Sequence, residues 1–279
     1  MTSSSRPDGP VRRTADDPAA RIDALAARLI EAREHGRAID QIPEAETPVD
    51  AVEAQLVDDR VAGMTGWPVL GWKIGCTSEQ AQQMLGYPEP FAGRIYSMFD
   101  SGHTLTGDQL CSEPRLEGEF AFTLGRDLEP GVVDRSGFGR EAALASVAEL
   151  RPAIELVGGR YANFVGLPVP LLIADGGANS HLVLGPSVTE PDLAGLASVA
   201  VTMSVDGSIV GRGSGADVLG HPLDALAWLV SHLGGRGISL TEGQMVTTGS
   251  ATGVSPFPGG TTATATFDGI GSVSVSRSG

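Results

Sequence analysis

Two cysteines, one lysine and the lack of any long apolar run set the first limits on this 279-residue chain. Cys76 and Cys111 are too few for a disulfide framework and have no metal-binding spacing, so neither thiol is expected to carry chemistry and a reducing compartment is the simplest setting. The longest nearly apolar stretch, Leu167 to Ala174, is broken by two prolines and falls far short of a bilayer span, which predicts a soluble protein with no membrane partner. Positive charge is scarce as well. A net charge of -15 with scattered arginines gives no basic surface for phosphate neutralisation, so a nucleic-acid partner is excluded and a small molecule is expected. Met1 to Ala19 is rich in Ser, Pro, Arg and Asp and has no apolar signal core, which reads as a disordered tail on a cytoplasmic protein.

Lys73 is the only lysine among 19 basic residues. Nucleotide composition alone can favour arginine, but a single lysine kept in the apolar segment VLGWKIGCTS suggests a task arginine cannot perform, because only lysine loses its proton on desolvation. Flanked by Trp72 and Ile74, it is expected to have a depressed pKa and to serve as a general acid or base. The competing reading is a lysine that reaches solvent from a strand edge.

After the tail, residues 20–279 read as one catalytic domain, with 20–93 mostly helical and 94–279 β-rich. Ala20 to Arg37 places Ile22, Leu25, Ala26, Leu29 and Ile30 on one helical face. Pro48 to Ala62 follows as a second helix capped by Thr47, with Val49, Val52, Leu56 and Val57 apolar. Val69 to Thr77 reads as a strand and Ser78 to Leu85 as a short helix stopped by Gly86. Strand runs are expected at 117–124, 153–157, 181–184, 199–205, 245–248 and 261–275, with helices at 140–150, near 192–196 and at 222–233.

In LEGEFAF a strand period of two puts Glu117 and Glu119 on one face and Phe120 and Phe122 on the other, so two carboxylates converge on a packed strand. A third acid, Glu155, lies in the apolar run PAIELV, where an unpaired carboxylate is costly. Pairing with Arg115, Arg151 or Arg160 and binding of a metal account for it equally well. Three oxygen ligands without a Cys or His cluster suit Mg2+ or Mn2+ rather than zinc. Two glycine-rich segments, residues 172–185 and 247–260, let a ligand approach the backbone and offer Asp175, Asn179, Ser180, Thr248, Ser250 and Thr252 as polar contacts, although tight turns alone would also explain the glycines.

In chain order, GWKIGCTS, RLEGEFAF, RPAIELV, IADGGANSHLVLG, VLGHPLDALAWL and TTGSATGVSPFPGG resemble the fumarylacetoacetate hydrolase superfamily, in its branch of 2-keto-4-pentenoate hydratases and 4-oxalocrotonate decarboxylases. The resemblance runs from about Ala20 to the C-terminus. It implies an α+β fold with a mixed β-roll core, flanking helices and a helical N-terminal region, in a homo-oligomer. It also implies a Mg2+ or Mn2+ ion on Glu117, Glu119 and Glu155, a 2-oxo or 2-enol carboxylic acid as substrate, and proton transfer by Lys73. Asp175, Asn179, Thr248 and Ser250 are the expected substrate contacts.

Three segments depart from that pattern. The family's Asp-Glu-Pro-Asp-Tyr-Gly is Pro88-Glu89-Pro90-Phe91-Ala92-Gly93 here, so an aspartate used in proton transfer is replaced by Phe91, leaving Glu89 as the substitute catalytic acid. Asp-Asn-Ala-Ser-Ser becomes Asp175-Gly176-Gly177-Ala178-Asn179, and the Asp-Thr-Arg after the third glutamate becomes Gly158-Gly159-Arg160. The leading expectation is a hydratase. Decarboxylation or tautomerisation comes second, and C–C hydrolysis ranks lower because Ser78 to Tyr96 holds no histidine. A catalytically silent structural partner is the rival from another class.

Overall fold

The computed structural model describes residues 17–110, 112–132, 137–164 and 166–279. Most of the expected tail and Cys111 lie outside them. Asp17 accepts the Ala19 N–H and Pro18 takes the first turn, so helix α1 (Pro18–His35) begins inside the stretch read as tail. Helix α2 (Ala51–Thr65) starts later than expected: its cap is Asp50, which accepts the Glu53 N–H at 2.9 Å, while Thr47 closes a preceding 3-10 turn. Ala54, Val57 and Val61 are buried in a cluster with Ile22, Leu25, Ala26 and Leu29 of α1, whereas Val49, Val52 and Leu56 are 71%, 67% and 48% exposed. The expected apolar face of α2 is therefore split, with one part packed and the other facing out.

Thirteen strands, numbered along the chain, form two sheets among the described residues. The larger contains β1 (Gly71–Gly75), β2 (Phe91–Ile95), β3 (Met98–Asp100), β5 (Arg115–Leu124), β6 (Val147–Val157), β7 (Asn179–Leu184), β10 (Met245–Ser250) and the short β11 (Ser255–Pro256). Its order is β2-β1-β10-β5-β6-β7-β3, with β11 paired to β5. The second sheet has β4 (His103–Leu105), β13 (Gly271–Arg277), β12 (Thr262–Phe267), β8 (Ala200–Val205) and β9 (Ser208–Ser214), in that order. β1 and β2 belong to the larger sheet, so the change from helical to β texture comes near residue 70 rather than after 93.

The larger sheet curls until β2 meets β7. Inside the roll, Ile95, Ala121, Ala153, Leu182, Leu184 and Met245 form one small apolar cluster. On the other face Trp72, Phe120, Phe122, Ile154 and Val246 pack with Met203 and Phe267 of the second sheet and with Leu226 and Leu229 of helix α6 (Pro222–Gly235), which makes the main core. Helix α3 (Glu79–Leu85) is capped by Ser78, and α5 (Val169–Ala174), unpredicted, packs on α2.

Three segments differ from expectation. The helix read over 140–150 stops as α4 (Arg140–Leu144), because Val147, Glu149 and Leu150 pair with Leu124, Thr123 and Phe122 and extend β6. The run 261–275 is a hairpin, turned by Gly269 at φ 72°, not one strand. The segment near 192–196 is a 3-10 turn, Leu193–Ser198. No helix among the described residues is long and apolar enough to cross a membrane.

Candidate functional site

Antiparallel pairing of β5 with β6 sets Glu117 directly opposite Glu155, and Glu119 opposite Ala153. Partners across a sheet project to the same side, so all three carboxylates enter the roll interior. Ligand oxygens of Glu117, Glu119 and Glu155 lie within 4.8 Å of one another; Glu119 and Glu155 are fully buried and Glu117 is half-buried.

β1 runs parallel to β10 in the register Lys73↔Thr247, and Thr247 pairs in turn with Ala121. The same face therefore carries Lys73, which is only 3% exposed. Its Nζ donates to Gly177 O at 3.1 Å, lies 3.4 Å from Glu155 Oε1 and stands 5.7 Å from the centre of the Phe91 ring. The depressed pKa expected for Lys73 is not found. Burial alone would lower it, but the charges of Glu155, Glu117 and Glu119 together outweigh burial and hold the ammonium above its ordinary range. The acids respond in kind: burial and the neighbouring Glu155 push Glu117 up to about 7, and burial with Glu155 and Glu117 pushes Glu119 well above the usual carboxylate range.

Among the described residues none of Arg115, Arg151 and Arg160 forms an ion pair with Glu155. Arg151 pairs with Glu149, and Arg160 pairs with Asp175. Among the described residues Glu155 takes its contacts from Lys73 and from Asn179, whose Nδ2 donates to Oε1 at 2.9 Å. Glu119 Oε2 accepts the Gly249 N–H at 2.9 Å. That leaves Glu119 Oε1 and Glu155 Oε2 buried without a hydrogen-bond partner. Two buried carboxylate oxygens converging with a third acid need a cation. Ligand oxygens on opposite sides of a hard divalent ion at 2.0–2.6 Å stand about 4–5 Å apart, so this donor set fits such an ion.

Arg160 organises the opposite wall. Its backbone N–H donates to Asp175 Oδ2 at 2.7 Å, its Nε to Asp175 Oδ1, and its terminal nitrogens to the carbonyls of Asn179 at 2.6 Å and Asp175 at 2.7 Å. This clamp holds Gly176, Gly177 and Ala178 with φ of 61°, 69° and 57°, a run that brings the Gly177 carbonyl onto Lys73. A Cβ on Gly177 would sit 2.9 Å from Lys73 Cδ.

The structure thus gathers Lys73, Glu117, Glu119, Glu155 and Asn179 in one place. Asp175 stands behind the wall, with both carboxylate oxygens held by Arg160. The Thr248 hydroxyl donates to Phe120 O at 3.2 Å. Ser250 lies with Glu117 on the wall of an open cleft of about 1120 Å³ and donates to Gly253 O at 3.0 Å. Glu89 is exposed in the turn before β2. Sequence reasoning missed Thr247, the Gly177 carbonyl, the Gly249 N–H and the Arg160 clamp. A strict two-residue period carried from Lys73 through the strand pairing would have found Thr247; the backbone groups leave no such trace in side-chain chemistry.

Rolled sheet, buried lysine and carboxylate triad together define an α+β protein whose concave face gathers one ammonium and three acids able to hold a divalent metal. The profile of the fumarylacetoacetate (FAA) hydrolase C-terminal family matches residues 73–275, and the chain belongs to that family. It is 33% identical over 263 residues to a 2-hydroxyhexa-2,4-dienoate hydratase of Comamonas testosteroni, covering 91% of this chain and 96% of that one. Identity to a 4-oxalocrotonate decarboxylase of a Pseudomonas species is 30% over 267 residues, with 93% and 99% covered. In structure it resembles the 4-oxalocrotonate decarboxylase from Pseudomonas putida G7 complexed with magnesium and adipate, with a TM-score of 0.82, 25% identity, and 93% and 98% of the two chains covered.

Proposed function

We propose that this protein is a divalent-metal-dependent lyase of the 2-keto-4-pentenoate hydratase type, which adds water to a 2-hydroxy-dienoate or 2-oxo-enoate acid. The observation that carries this reading is the pair of buried, partnerless oxygens on Glu119 and Glu155, set beside the chain's single lysine. Glu117, Glu119 and Glu155 would hold Mg2+ or Mn2+, which supplies Lewis-acid polarisation to two oxygens of a 2-oxo acid. Lys73, 3.4 Å from Glu155 and anchored on the Gly177 carbonyl, is placed to deliver a proton to a substrate carbon and recover one as the double bonds move. Asn179 and the Arg160–Asp175 clamp position Glu155 and the Gly177 carbonyl, and Ser250 takes the substrate at the mouth of the cleft.

Decarboxylation is the second reading, favoured by a specific placement. Phe91 lies beside Lys73 while Glu89 is exposed, which gives the site one buried ammonium and, among the described residues, no acid outside the triad acting on it to activate water. Loss of carbon dioxide needs only a polarised oxo acid and one proton. The exposed stripe of Val52 and Leu56 on α2, with Val49 just before its cap, supports association of identical copies, to be measured by light scattering. A cytoplasmic location accords with this chemistry.

The test is to incubate the protein with Mg2+ and 2-hydroxypenta-2,4-dienoate and follow loss of dienol absorbance, with Lys73→Ala and Glu117→Ala as controls. General acid–base catalysis contributes roughly 10²–10⁴-fold, so Lys73→Ala should lose about that factor. A wild type no faster than both variants, on this substrate and on 4-oxalocrotonate, would leave a non-catalytic partner as the better reading. Product analysis separates added water from released carbon dioxide.

A further inference from the structure

Thr247 is fully buried, and its hydroxyl has no hydrogen-bond partner. It is the last residue of β10 before the register shift that sends the backbone to Glu119, and its Cα is paired with Lys73 on one side and Ala121 on the other. Its side chain therefore shares the interior face with Lys73 and the three acids.

A buried hydroxyl left without a partner costs roughly 1–3 kcal/mol, so a fold that keeps one there implies a partner supplied from outside the chain. The engagement of the neighbouring groups indicates which kind. The Gly249 N–H is taken by Glu119, the Gly118 N–H by Thr252, and an Asn179 N–H by Glu155. The hydroxyls of Thr248 and Ser250 are donated to backbone carbonyls. Lys73 spends two of its three N–H groups on Gly177 and Glu155. An anionic ligand entering a face with three carboxylates must find hydrogen-bond donors, and the fully buried hydroxyl that this face holds without a partner, among the described residues, is that of Thr247.

We infer that Thr247 is a substrate-binding residue, whose hydroxyl donates to a carboxylate oxygen of the bound 2-oxo acid. The inference rests on the oxo-acid reading above. It concerns binding alone and involves no covalent step.

The test is calorimetric titration of the Mg2+-loaded protein with oxalate, which places two oxygens side by side as a 2-oxo acid does and does not react. Thr247→Val keeps the shape and removes the hydroxyl; oxalate affinity should fall about tenfold, equivalent to about 1.4 kcal/mol. Thr247→Ser should bind within about threefold of wild type. Mn2+ affinity, read by electron paramagnetic resonance, should be the same in all three proteins, and the Tm of Thr247→Val should not fall. Oxalate bound equally well by wild type and Thr247→Val overturns the inference while leaving the oxo-acid reading intact. So does a Thr247→Val protein with lowered Tm and weakened Mn2+ binding, which would mark a structural role. A wild type that takes up neither Mn2+ nor oxalate overturns both.

Discussion

Replacing Glu119 with Gln should stabilise the metal-free protein while abolishing its response to metal. Glu119 is fully buried, lies within 4.8 Å of two other carboxylates and has no ammonium within ion-pair distance among the described residues. Two unit charges 4.8 Å apart at an effective dielectric of 20 repel by about 3.5 kcal/mol, and Glu119 takes part in two such pairs. Attraction to Lys73, partial protonation of the acid, and loss of charge in the hydrogen bond from Gly249 all reduce the gain, leaving a net stabilisation on the order of 1–3 kcal/mol. For a domain of this size, that is a rise in Tm of about 2–10 °C in EDTA. Saturating Mg2+, at a hundred times its Kd, should raise wild-type stability by about 2.7 kcal/mol and leave Glu119→Gln nearly unmoved. The assay is a thermal melt of both proteins with EDTA and with Mg2+. If Glu119→Gln melts below wild type in EDTA, or if Mg2+ raises both alike, Glu119 is not a metal ligand restrained against its neighbours.

Three further outcomes are expected. Arg160→Leu leaves the backbone N–H to Asp175 Oδ2 but removes the guanidinium that pairs with Oδ1 in a buried setting, a class of change that costs about 3–5 kcal/mol, and a denaturant titration should report it. Gly177→Ala puts a Cβ against Lys73 Cδ at a residue whose φ is 69°; dienoate turnover should fall at least tenfold with Mn2+ affinity unchanged, measured by steady-state kinetics and metal titration. His232, stacked on Trp228, is pushed down to about 4 by burial and by Arg236. Its folded pKa lies below its unfolded one, so its contribution to stability is present above about pH 6.5 and is lost as pH falls toward 4; after allowance for partial exposure this is about 1–2 kcal/mol, and His232→Gln should flatten that limb of a pH–stability curve.

The acids were legible because alternation on a strand is a strong signal: Phe120 and Phe122 mark the packed face, so Glu117 and Glu119 must share the other. Glu155 in an apolar run announced a need for a partner, but only the pairing of β5 with β6 and the ion pairs of Arg151 and Arg160 with other acids told against an arginine, since the reach of those side chains depends on backbone direction. Lys73 was found by its rarity, yet the direction of its pKa was misjudged: local sequence displays the apolar neighbours, whereas the three compensating charges arrive from two other strands. Helix α2 was placed a turn early because Thr47 and Pro48 make a plausible cap and Asp50 makes a better one. Thr247 was missed because a glycine-rich segment has no period to follow, and the face it takes turns on the register of β10 with β1 and β5.

The position of the triad is itself an argument about what the fold is built to tolerate. Glu117 and Glu155 are directly opposed in an antiparallel pair, an arrangement of like charges that weakens a sheet. A slip of one residue between β5 and β6 would separate them, but it would also turn one whole strand over and send a carboxylate into the main core. Phe120, Phe122, Ile154 and Leu156, all fully buried on the far face, make that slip far more costly than the repulsion it would relieve, at about 1.5–3 kcal/mol for each large apolar side chain exposed. The apolar face thus holds the acidic face in its unfavourable register. A divalent ion held by Glu117, Glu119 and Glu155 would convert that repulsion into binding affinity, so the site should bind metal tightly because these carboxylates are held together before any metal arrives.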